Sequence, residues 1–145
     1  MTHPGPLLVA QLASTLPLVG LIWFVQVVAY PLFALVDPAH FEQYHQAHSA
    51  WITWLVGPLM LVELAAAGLW VLAPDPNVPR WLPLVGLALV VLAWLVTVFL
   101  SVPQHNILAG GFDGQAHRVL VATNWLRTLA WTARAALLLG LVWRG

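Results

Sequence analysis

Histidine and arginine are the side chains of this sequence best suited to chemistry. Five of the six histidines, His40, His45, His48, His105 and His117, fall in two polar stretches between long apolar runs. Imidazole titrates near neutrality, binds metals and haem, and moves protons. His45 and His48 are three apart, so on a helix they share a face. His45, Ser49, Thr53, Val56, Met60 and Glu63 continue that face. His45, His105 and His117 are therefore the expected acid–base groups, and His45, His48 and His117 a ligand set for a transition metal. A pair such as His45 and His117 would also suit a b-type haem.

Two arginines, Arg127 and Arg134, lie inside another apolar run. A charge at mid-bilayer costs about 2.5–3.5 kcal/mol on insertion scales, so each must point at something. Glu63 is the one acid inside an apolar run. Counting ~1.5 Å per residue puts it roughly 20 Å along its run, level with Arg134 at about 22 Å. A structural ion pair, Glu63 with Arg134, follows, since either charge alone would be expensive. Arg127 lies seven residues earlier on nearly the same face, with no acid left to meet it. With Asn124, Trp125 and Thr128 it is expected to hold a ligand bearing a carbonyl or a negative charge.

These residues must be positioned by helices. The 145 residues are 61% hydrophobic and 7% charged, against about 25% charged in a soluble domain. Lipid bilayer is the solvent that suits this composition. Acids and bases cancel, leaving no basic arm for nucleic acid, and the absence of cysteine excludes disulfides and thiolate sites. The runs Leu7–Tyr30, Ala50–Ala73, Trp81–Val102 and Val119–Val142 are each near the ~20 residues that cross a bilayer. They lack strand alternation. The expected fold is all-α, an integral membrane four-helix bundle in one domain, with helices at about 7–30, 39–73, 81–102 and 114–142.

Asp37-Pro38 reads as a helix start and Asp113 as a second cap. Pro31 and Pro103 read as helix stops, and Pro74 to Pro79 as a tight turn. Gly57-Pro58 is expected to kink the second helix. The opening Met1–Pro6 lacks the basic residues of a secretory signal, so the first run reads as a retained span. Arg80 and Arg144 against Arg118 place both termini in the cytoplasm, as in a bacterial inner membrane. A shift of 72 residues superimposes Pro31 on Pro103 and Gln43-Tyr44-His45 on Gln115-Ala116-His117. That shift admits two parallel helical-hairpin repeats.

The segment Pro103-Gln104-His105-Asn106-Ile107-Leu108, with Leu120-Val121, Asn124-Trp125-Leu126-Arg127-Thr128 and Arg134, resembles the second half of small four-helix membrane proteins of the anthrone oxygenase-like family. The resemblance covers the last third of the chain. It implies a cofactor-poor oxidation of a lipophilic phenolic substrate in the membrane. From the residues themselves, the first functional expectation is an intrabundle pocket, lined by His and Arg, that binds or oxidises a small lipophilic or quinone-like ligand. The second is a haem or metal protein. The third is a non-enzymatic transport or assembly subunit that forms homo-oligomers, with Gly20, Gly57 and Ala65-Ala66-Ala67-Gly68 as close-packing points.

Overall fold

A computed structural model describes residues 5–144, with side chains as far as Trp143. Met1 to Pro4, and the Arg144 side chain used in the sidedness argument, lie outside the described residues. Four helices make up the fold: α1 (Pro6–Phe33), α2 (Pro38–Leu72), α3 (Trp81–Leu108) and α4 (Gly114–Arg144). All four are long and apolar enough, by length and composition, to cross a membrane. They run up and down in a ring, each packed against its two neighbours, so α1 and α3 are parallel, as are α2 and α4.

The connections are short and capped as the sequence implies. Asp37 Oδ1 accepts from the Ala39 amide at 2.8 Å, with Pro38 in the first turn. Asp113 Oδ1 accepts from Gln115 and Ala116 at 2.9 and 2.7 Å, opening α4. Both aspartates satisfy amides that a helix start leaves bare. Between α2 and α3, Asp75 Oδ1 accepts from the Asn77 amide at 2.8 Å. Through Pro58, α2 runs uninterrupted.

Pro31 and Pro103 do not stop their helices. Each follows one turn of π-helix, Val25–Ala29 in α1 and Thr97–Ser101 in α3. Tyr30 N–H reaches back five residues to the Val25 carbonyl, and Val102 N–H reaches the Thr97 carbonyl. The wider turn takes in one extra residue. It thereby makes room for a proline ring that would clash with an α-helical carbonyl. The expected ends at residues 30 and 102 therefore move to Phe33 and Leu108. The two π-turns are separated by 72 residues, the same offset that superimposes the prolines.

Polarity is inverted relative to a water-soluble domain. Gln11, Thr15, Gln26, His45, Glu63, Asn124, Thr128 and Arg134 are buried, whereas Trp51, Trp54, Leu72 and Trp143 are exposed. Trp51 and Trp54 keep more than three-quarters of their surface outside the protein (76% and 78%). An apolar exterior around polar packing is what an apolar solvent selects.

Candidate functional site

The polar interior has two levels. At the lower level one guanidinium ties all four helices. Arg134 on α4 pairs with Glu63 on α2, Nε to Oε1, at 3.0 Å. The same Nε lies 3.2 Å from Thr15 Oγ1 on α1, Nη2 donates to Gln11 Oε1 at 2.9 Å, and Nη1 donates to the Gly86 carbonyl on α3 at 2.8 Å. Glu63 is equally well served. Thr15 donates to Oε1 at 2.6 Å and the Trp131 indole N–H donates to Oε2 at 2.9 Å. Both side chains are sealed from solvent. This near-complete set of partners is what a buried pair requires. Gly86 permits the approach: a Cβ there would stand 3.0 Å from Arg134 Nη1. At Gly20, Gly57 and Gly68 nothing lies within 4 Å of such a Cβ, so the close approach inside the bundle is at Gly86.

Above this level lies a cavity of about 470 Å³. Leu18, Ile22, Val25 and Tyr30 line it from α1, and His48, Ser49, Thr53, Val56 and Met60 from α2. Trp94, Thr97, Ser101 and His105 close it from α3, and Arg127 and Trp131 from α4. The exposed residues among its walls, Thr53 on α2 and Val102 and Asn106 on α3, put its opening between those two helices. Trp131 is the floor. The Arg127 guanidinium sits 5.1 Å from its ring centroid, a cation–π contact, while its N–H points down to Glu63.

Of the residues expected to bind ligand, only Arg127 reaches the cavity wall. Asn124 holds Arg127 in place, accepting from Nη1 at 3.2 Å and donating to Gln26 Oε1 at 2.8 Å. Thr128 donates to the Asn124 carbonyl of its own helix at 3.1 Å. Trp125 faces outward, 40% exposed and edge-on to Trp23 with centroids 5.6 Å apart. The reason is angular: two residues along a helix is about 200° of rotation, so Trp125 and Arg127 look opposite ways. Trp131, four residues from Arg127 and three from Arg134, occupies the place the sequence reading gave to Trp125.

The histidines separate as well. His105 lines the cavity and is bonded on both sides. Its Nε2 is 3.0 Å from Tyr30 Oη, and its Nδ1 is 3.0 Å from His45 Nε2. His45 lies behind it, stacked on Phe41. His117 instead donates from Nε2 to the Tyr30 carbonyl at 2.8 Å, a group left open near the end of α1. His45, His48 and His117 therefore do not form a ligand set. Among the described residues no group of three or more His, Cys, Asp or Glu is placed to hold a metal ion. The paired-haem arrangement meets the same obstacle, because the Nε2 atoms of His45 and His117 are already engaged.

Among the described residues, six buried side-chain atoms lack a protein partner: His45 Nδ1, His48 Nε2, Ser49 Oγ, Trp94 Nε1, Ser101 Oγ and Arg127 Nε. Five of the six belong to residues lining the cavity. An unsatisfied buried polar atom costs about 1–3 kcal/mol, and the side chains around this cavity carry hydrogen-bonding capacity that the protein itself does not use. Comparison with protein-family models, characterised proteins and solved structures finds no match to this chain.

Proposed function

We propose that this is a multi-pass membrane protein whose bundle binds a small lipophilic ligand bearing a carbonyl or phenolic oxygen, of the quinone kind. The observation that carries this reading is that five residues with an unpartnered buried polar atom line one largely apolar cavity. Trp94 Nε1 and Arg127 Nε are donors only, so the ligand must supply acceptors. Ser49 and Ser101 accept either role. The apolar remainder, Leu18, Ile22, Val25, Val56 and Met60, suits a ring or short tail. An opening between α2 and α3 suits entry from the bilayer.

Helix length and the inverted polarity support the membrane setting. The matched π-turns support reading the bundle as two helical hairpins offset by 72 residues. At that offset Phe33 corresponds to His105 and His45 to His117, so the two halves carry different chemistry at equivalent places. Phe33 packs against His117 with centroids 6.4 Å apart, while His105 meets His45 at 5.2 Å.

The test is tryptophan fluorescence of the purified protein in lipid nanodiscs, titrated with a short-chain ubiquinone. Trp94 and Trp131 line the cavity, so saturable quenching that falls in Trp94→Phe is the expected result. Linear, non-saturating quenching identical in both proteins would overturn the reading.

A further inference from the structure

We propose that Tyr30, His105 and His45 form a proton relay leading from the cavity to the polar end of α2. This rests on the reading of the cavity as a ligand site. Tyr30 and His105 line the cavity, and His45 does not. The three side chains make an unbroken chain: Tyr30 Oη to His105 Nε2 at 3.0 Å, then His105 Nδ1 to His45 Nε2 at 3.0 Å. Both ring nitrogens of His105 are used, which is the arrangement an imidazole needs to accept a proton on one side and release one on the other. The chain ends at His45 Nδ1, buried and without a protein partner. His45 stands on a turn of α2 where Glu42, Gln43, Tyr44 and Gln46 are exposed, so this end of the chain lies at the polar start of α2.

The transfer balances without any co-reactant. A ligand hydroxyl gives its proton to Tyr30 Oη as the phenol proton passes to His105 Nε2. The proton on His105 Nδ1 passes to His45 Nε2, and the proton on His45 Nδ1 leaves to water. One proton leaves the ligand and one leaves the protein, and every hydrogen bond survives with its direction reversed. His48 and Arg127, the other ionisable groups on the cavity wall, stand beside this chain. His117 is engaged with the Tyr30 carbonyl and takes no part.

The experiment uses the full chain in nanodiscs and 2,6-dimethyl-4-nitrophenol, whose anion absorbs visible light. Binding is read by tryptophan quenching, and proton release by a stopped-flow indicator dye in the bulk. His45→Phe is expected to bind the phenol with unchanged affinity and to release the proton about 100-fold more slowly. An unchanged release rate would overturn the relay. A second measurement needs no variant. In protein labelled with 15N-histidine, a coupling between His105 Nδ1 and His45 Nε2 is expected across their hydrogen bond, and its absence would also overturn the relay. If the wild type binds no phenol, the ligand-site reading fails, and the coupling alone decides whether the chain exists.

Discussion

Trp131 Nε1 donates to Glu63 Oε2 at 2.9 Å across the centre of the bundle, joining two helices that are not neighbours in the ring. The same indole carries Arg127 on its face. One side chain therefore separates two buried positive charges: Arg134, neutralised by Glu63, and Arg127, which has no carboxylate. The lower level is closed and satisfied, whereas the upper one has unused hydrogen-bonding capacity. That contrast is the ground for proposing a structural role for the one and ligand binding for the other.

The lower level is expected to be intolerant of single changes. Glu63→Gln or Arg134→Leu leaves one charge buried without its partner, a loss of about 3–5 kcal/mol. Thermal melting in detergent and folded yield should both fall sharply. The double variant should recover part of the loss, because no charge is left stranded. Single variants that melt like the wild type would contradict the ion pair's role.

Arg127 should behave differently. Arg127→Leu removes a charged group that donates from Nη1 to Asn124 Oδ1 and rests on the Trp131 ring, with no carboxylate beside it. The fold should persist. The quenching titration with short-chain ubiquinone should shift by about 10- to 100-fold, the worth of one charged hydrogen bond of about 1.5–3 kcal/mol. Loss of the folded protein with no separable binding defect would make Arg127 structural.

Gly86 offers a test of packing rather than charge. In Gly86→Ala the new Cβ would stand 3.0 Å from Arg134 Nη1 and 3.3 Å from Trp70 Cζ3. Neither neighbour is free to move, one being held by the network and the other by its burial. The variant should lose about 1–3 kcal/mol, seen as a lower melting temperature. Gly20→Ala, at a position with open space, is the control and should melt unchanged.

Much of this was readable from the chain, and the misreadings share physical causes. Four long apolar runs suffice for four helices, because lipid permits few alternatives. Glu63 and Arg134 could be matched because a single acid and a countable rise leave little choice. The face of α2 from Ser49 to Met60 was readable from spacing alone, and the structure places it on the cavity wall. The helix ends at Pro31 and Pro103 were misplaced because a π-turn has no composition of its own. Trp125 was placed inside by nearness in sequence, where the angle around the helix assigns Trp131. Tyr30, Trp94 and the bonding of His105 depend on contacts between distant helices, and no local pattern announces them.

The π-turn at Thr97–Ser101 has a further consequence. It carries one residue more than an α-helical turn, and everything beyond it is set by that residue. Removing any one of the five would close the turn in the ordinary way. The segment from Val102 to Leu108 would then swing by about 100°, carrying His105 away from both Tyr30 and His45. The chemistry of that histidine is thus a matter of phase, like the lead of a screw thread. A single inserted residue in the backbone decides which way the thread presents it.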